Sequence, residues 1–398
     1  MPRETLSSLF SRSSARLPGI PYWRLSLFYF FFFGSLGALV PYWGLYLKSL
    51  DFSAEQIGTV MGLFMAVKII SPNIWGWIAD HTGRRIMVIR LGTLLAVVCF
   101  SGMFVAESFL AVTVVMAAFG FFWNAALPQF EVTTLNHLGD HHHRYSQVRL
   151  WGSVGFIAAV AILGPVLDAT GIQLLPVVVM GLIIGIFATS LVVPEERNKV
   201  ISSGAESLRS VLRQPVVLAL FSVCFLMQVA HGPFYTFYSI YLQAAGYSKL
   251  EIGLLWSLGV GAEVFVFVFL TRLLEHYSLR QLLLFAVGVS VARWLLVAFF
   301  VSDPLIQVVA QLSHAATFGV YHAVAIQWVH RLFTGQTQGR GQALYSSLSF
   351  GAGGAVGSLY SGYTWDSLGS TPTFLIASLV SVAGFLVAWR GLKTVPPG

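Results

Sequence analysis

Five ionisable side chains stand inside stretches that are otherwise apolar: Lys68, Glu131, Arg149, Glu263 and Arg293. A charge at the centre of a bilayer costs about 2.5 to 3.5 kcal/mol even on the lenient insertion scale, so each needs a partner, a water-filled path or a ligand. Glu131 and Arg149 fall at similar depth on consecutive apolar windows, and Glu263 and Arg293 do so near mid-window, which predicts two ion pairs. The plain alternative is that both pairs only help helices pack. Three cations then face two anions, and Lys68 is the one expected to lack an acid; a substrate carboxylate would balance it, with the rings of Tyr42 and Tyr238 against its apolar part.

His314, Tyr321 and His322 add polarity to a further window. At 100° per residue, Tyr321 is predicted within about 20° of His314, and His322 about 80° away. A histidine with its ordinary pKa of about 6.5 passes protons at physiological pH, whereas His231 reads as a packing residue. His137, His141, His142 and His143, with Asp140 among them, lack a matching carboxylate or thiolate pattern and read as a solvated loop rather than a metal site. Cys99 and Cys224 lie in apolar runs, so neither a disulfide framework nor a zinc cluster is available. No nucleophile–base pattern and no phosphate-cradling Gly-Lys motif occurs. The sequence therefore indicates neither an enzyme nor an ATP-driven pump, and no cofactor is expected.

The elements that must position these residues are membrane spans. The 398 residues are 56% hydrophobic and 10% charged, against about 25% charged in ordinary soluble domains. Windows long enough to cross about 30 Å of hydrocarbon can be placed twelve times, predicting an all-α membrane protein of two pseudo-symmetric six-helix bundles. The expected division is an N-terminal tail over 1–21, bundles over 22–193 and 216–390, a linker over 194–215 and a tail over 391–398. All but five of the 23 Lys and Arg fall on one side if both termini are cytoplasmic. The net charge of +7 thus speaks for a lipid surface rather than nucleic acid. An inner-membrane, multi-pass, monomeric protein of bacterial type is the expectation.

The halves are copies. At an offset of 195, Ile57-Gly58 answers Ile252-Gly253, Lys68 answers Glu263, Asp80-His81 answers Glu275-His276, and Tyr42, Trp43 and Tyr46 answer Phe237, Tyr238 and Tyr241. At an offset of 198, Asp168-Ala-Thr-Gly171 resembles Asp366-Ser-Leu-Gly369. The turn holding Gly76, Asp80, Gly83, Arg84 and Arg85 reads as a conformational latch. Asp80 is suited to accept from a neighbouring helix N-terminus, Gly83 to reverse the backbone, and the arginines to meet anionic lipid.

That turn, falling between the second and third windows, is similar to the signature loop of the major facilitator superfamily. With Val148 to Gly155, Leu255 to Val264, Arg293-Trp294 and His314 to His322, the chain resembles the 3-phenylpropionate permease branch, which is related to lactose permease-type proton symporters. The resemblance implies sugar-site roles for Glu131 and Arg149 and proton-coupling roles for Glu263, Arg293 and His314, with His322 nearby. One departure is Thr317, where lactose permease has its proton-accepting Glu. The implied function is proton-coupled import of a small organic solute such as an aromatic carboxylate. Efflux of drugs or metabolites and symport of a sugar or nucleoside are the alternatives. Efflux carriers typically have Gly-Pro-x-x-Gly-Gly at the end of the fifth span, and Gly164-Pro165-Val166-Leu167-Asp168 matches only its start.

Asp80→Asn is expected to slow transport far more than it weakens substrate binding, because the turn should act on the rocking equilibrium. Initial uptake rates compared with equilibrium binding check this, and equal losses in both would refute it.

Overall fold

A computed structural model describes residues 20–195, 208–334 and 337–392, without the side chains of Asp140, His142, His143 and Leu208. Most of the expected tails and linker lies outside these residues. The spans are α1 (Tyr22–Ser49), α2 (Ala54–Thr82), α3 (Arg85–Phe104), α4 (Phe109–Leu138), α5 (Tyr145–Thr170), α6 (Ile172–Val192), α7 (Pro215–Ala244), α8 (Lys249–His276), α9 (Leu279–Phe299), α10 (304–332), α11 (338–368) and α12 (Ser370–Gly391). Ten of them are uninterrupted, or nearly so, and apolar enough to cross a membrane. The other two, α10 and α11, are rods in which a π-helical segment joins two α-helical pieces, over Ala315–Val320 and Ser347–Gly353. π segments concentrate at functional sites, and both lie at mid-span. The two six-helix halves, α1–α6 and α7–α12, carry the predicted duplication.

Local chemistry sets the helix ends. Ser53 and Gln56 form a capping box at the start of α2, and Ser248 and Glu251 form its counterpart on α8, again 195 residues apart. Gly83 ends α2 at φ +65, its N–H donating to the Ala79 carbonyl at 3.0 Å, a conformation open to glycine at little cost. Arg90 of α3 donates to the carbonyls of Ser190, Leu191 and Val193 at the end of α6, and Arg280 of α9 does the same for Trp389 and Leu392 at the end of α12. Each guanidinium satisfies orphan carbonyls at the negative end of a helix dipole.

We term proximal the face where α1 begins and α12 ends, and distal the opposite one. The halves meet along α2–α11, α5–α8 and α1–α7. Gly58 of α2 lies against Ser358 and Gly362 of α11, Gly164 of α5 against Lys249 and Leu250 of α8, and Gly44 of α1 against Thr236 and Ile240 of α7. Contacts this close are open only to residues without side chains. The seam is closed distally and centrally, where Ser347 donates to the Ile69 carbonyl at 3.3 Å and Asn73 donates to Ser347 at 3.3 Å. The proximal half of α8 exposes Phe265, Phe267, Val268 and Phe269, and only 28% of its most apolar window is buried, against 67% for α1 and α7. The described contacts between the halves thus close the distal and central parts of the seam.

Within the first half, Gly155 of α5 rests on the backbone of Phe30 in α1, while Gly181 of α6 has open space where a Cβ would stand. Gly155→Ala is expected to cost about 1 to 3 kcal/mol through overpacking, and Gly181→Ala nothing measurable. Thermal unfolding of the two variants in the same detergent tests the contrast.

Candidate functional site

The second half builds a connected triad, buried at Arg293 and His314 and partly exposed at Glu263. Glu263 comes from α8, Arg293 from α9 and His314 from α10, just before the π segment. The imidazole stands between the two charges: Nε2 lies 2.7 Å from Glu263 Oε1 and Nδ1 lies 2.8 Å from Arg293 Nη1. A guanidinium only donates, so Nδ1 presents its lone pair and the ring proton sits on Nε2, donating to the carboxylate. The direct Glu263–Arg293 pair expected from depth is therefore not formed. Matching depth fixes height along a helix, whereas azimuth and the inserted ring decide contact. Arg293 Nη1 also donates to Thr317 Oγ1 at 2.9 Å, so the residue at the departure from lactose permease is an acceptor for the arginine. Phe234 and Trp294 lie 4.3 and 4.7 Å from the guanidinium carbon, which lends cation–π support. Its Nε and Nη2, the edge that matches a carboxylate, have no partner among the described residues.

The π turn changes the face of α10. His314, Phe318 and His322 stack in sequence, with ring centroids 5.4 and 5.8 Å apart and planes within 17°. A wider turn rotates each residue by less than 100°, so the eight-residue step returns to the same face and the seven-residue step falls short. His322, not Tyr321, thus shares the face of His314, correcting the helical-wheel expectation. The Nδ1 of His322 is 2.8 Å from the Tyr345 hydroxyl, and Tyr321 turns away to donate to the Cys224 carbonyl at 3.2 Å.

In the first half the expected Glu131–Arg149 pair is likewise not formed. The guanidinium carbon of Arg149 lies over the Phe33 ring, 3.7 Å from its centroid, and Glu131 accepts from the Tyr145 hydroxyl at 3.3 Å. Tyr145 stands one turn before Arg149 on α5, a spacing that could have revealed it. Phe33 sits in the run Phe30 to Phe33, where spacing singles out no member. Lys68 is half-buried on α2, its ammonium 6.0 Å from the Phe64 ring centroid, with no acid or hydrogen-bond acceptor among the described residues. Lys68, Glu131, Arg149, Glu263 and His322 all keep partial exposure at mid-span, although the distal seam is closed.

Other expected site residues lie elsewhere. Tyr42 is fully buried in the distal seam, donating to the carbonyls of Val160 (3.1 Å) and Lys249 (3.3 Å). Tyr238 is fully buried against Phe234 and Trp256 and donates to Gln307 at 3.0 Å. Neither ring is open to a ligand in this state, because long polar-tipped aromatics find partners inside the bundle. Asp80 accepts from Arg85 rather than from a helix N-terminus, and Arg85 also donates to Gln129 of α4, beside Gly76, while Arg84 is exposed. The turn ties three helices of one half together in this state. His231 is a packing residue, its Nδ1 2.7 Å from the Met227 carbonyl.

The triad sets an order of stabilities. Glu263→Gln keeps an acceptor for the histidine and should be mild, whereas His314→Phe strands both charged partners and should cost about 3 to 5 kcal/mol. Thermal unfolding decides, and equal losses would count against the bridging role.

Residues 22–376 match the model of the MFS_1 like family. The chain is 29% identical over 367 residues to the probable 3-phenylpropionic acid transporter of Escherichia coli (strain K12), covering 91% of this chain and 96% of that one. It is 27% identical over 374 residues to the maltose permease of Geobacillus stearothermophilus, covering 91% and 92%. A crystal structure of a point mutant of the nucleoside transporter NupG shares the fold, with a TM-score of 0.83 at 15% identity over 94% of this chain and 100% of that one. Family match, twelve-span architecture and charged interior agree: the chain belongs to the MFS_1 like family, and is a multi-pass membrane transporter of the major facilitator type.

Proposed function

We propose that this transporter imports a small organic anion together with protons, across a bacterial inner membrane, with the proximal face cytoplasmic. Lys68 carries the reading: it is a mid-span cation with no acid among the described residues. A carboxylate would supply its counter-charge, and a lysine this far from either interface reaches headgroups poorly by snorkelling. Arg149, over the Phe33 ring and without an acid in contact among the described residues, offers a second cation within the same partly exposed mid-span region. The name of the Escherichia coli relative supports an aromatic acid as the substrate class. The orientation rests on the excess of Lys and Arg at the proximal face.

Coupling would run through the triad. A proton arriving on Glu263 turns its acceptor oxygen into a neutral group and weakens its hold on His314. The ring is then free to turn, which alters the α8–α9–α10 contacts and releases Arg293. Binding and protonation would in this way bias one rocking equilibrium. A neutral sugar or nucleoside is the second reading, favoured by the maltose permease relative, and it predicts that Lys68 is dispensable.

Uptake into proteoliposomes separates the two. Wild type should accumulate 3-phenylpropionate under an inward proton gradient and not without one. Lys68→Met should reduce uptake of the acid by tenfold or more, about 1.4 kcal/mol, while leaving any uptake of the neutral amide analogue unchanged. Equal loss for both, or none for the acid, would overturn the charge argument.

A further inference from the structure

The repeated acids Asp168 and Asp366 have no role in the site described above, yet their placement is unusual. Each lies in the last turn of its helix, α5 and α11, where the macrodipole disfavours negative charge. Each is followed three residues later by a glycine with positive φ, +93 at Gly171 and +96 at Gly369, which turns the chain away and leaves the acid facing the other half. Asp168 crosses the seam to the start of α8, accepting from the backbone N–H groups of Lys249 at 3.0 Å and Leu250 at 2.9 Å. Asp366 crosses to the start of α2 and accepts from the Glu55 N–H at 2.9 Å.

The accounting at α8 is complete. A helix begins with four N–H groups that lack intrahelical partners. The Ser248–Glu251 capping box satisfies two, through Glu251 to the Ser248 N–H at 2.8 Å and Ser248 to the Glu251 N–H at 3.2 Å. The remaining two belong to Lys249 and Leu250, and both are taken by Asp168 from the opposite half. At α2 the Ser53–Gln56 box does the same work, and the next donor, Glu55, goes to Asp366. One cap at each of these helix ends is thus local and permanent, and one is lent across the seam.

We propose that Asp168 and Asp366 are a two-fold-related distal gate, each capping the first turn of a helix in the other half when the distal face is closed and releasing it when that face opens. Below a shallow distal vestibule of about 300 Å³, lined by Lys48, Gln243 and Lys249 among others, these caps and the glycine contacts form the seal. Asp80 belongs to the opposite face, where its acid is held within one half while the distal caps are engaged. The backbone is the main recipient. The Lys249 ammonium, 3.3 Å from Asp168 Oδ1, adds an exposed ion pair of small worth. The inference rests on the chain being an alternating-access transporter and not on any substrate.

Cysteine labelling tests it without a substrate, in detergent, where both faces are open to reagent. In a Cys99→Ser, Cys224→Ala background, Ile240→Cys reports the distal seam, since Ile240 is buried beside Gly44. Val287→Cys, fully buried in the second half, reports unfolding. Loss of one cap by Asp168→Ala or Asp366→Ala should raise the maleimide rate at Ile240→Cys about fivefold, and loss of both about thirtyfold. Asp168→Ser, which can still cap, should stay nearer the parent, and Lys249→Met should change little. An unchanged rate in the double variant overturns the proposal. So does equal labelling of Val287→Cys, which would make the acids elements of the fold, or a Lys249→Met effect matching Asp168→Ala.

Discussion

A helix cannot begin in or near a bilayer without someone accepting its first N–H groups, and that constraint organises the distal half of this molecule. Each of the two central helices, α2 and α8, starts with its own capping box and receives a further cap from an acid of the other half, which completes the set at α8. Where all donors must be satisfied within protein or at its edge, such lent caps join the halves by bonds that can be exchanged for water. A hydrophobic seal alone would give no such exchange. The glycine contacts of the seam supply closeness, and the caps supply direction.

The proximal face uses the same chemistry in the opposite sense. Arg90 and Arg280 hold the C-termini of α6 and α12 within their own halves, and the Asp80–Arg85 turn ties α2, α3 and α4 into one body. Each half is thus rigid at the proximal face, while the bonds between halves gather at the distal and central parts of the seam. Halves joined on one side in this way suit the rocking by which transporters built from repeats expose a site at mid-depth to one face at a time.

At mid-depth the interior charges avoid direct pairing. Arg149 lies over the Phe33 ring, Glu131 is held by a tyrosine hydroxyl, and Glu263 reaches Arg293 only through His314. A tight buried ion pair is costly to break, and a carrier has to break its internal contacts in every cycle. Rings, hydroxyls and an imidazole compensate the same charges with contacts that are individually weaker. The π segment of α10 serves this arrangement by bringing His314, Phe318 and His322 onto one line.

The sequence alone determined the number of spans, the duplication, the turn at Asp80 to Arg85 and which interior residues are charged, because these follow from hydropathy, from self-similarity and from the rarity of ions in hydrocarbon. It even marked Asp168 and Asp366 as equivalent, though not what they touch. The tertiary structure decided the partners. Depth along a span is legible from counting residues, but azimuth is not, so Glu131 and Arg149 matched in height without meeting. A helical wheel assumes 100° per residue, and the π turn broke that assumption between His314 and Tyr321. Tyr42 and Tyr238 looked free for a ligand because nothing in their spacing announces the carbonyl and amide groups that claim their hydroxyls. Contacts between halves join residues 81 or more positions apart, as at Asp168 and Lys249, and no local pattern encodes which of two faces is closed, since both states are packings of one sequence.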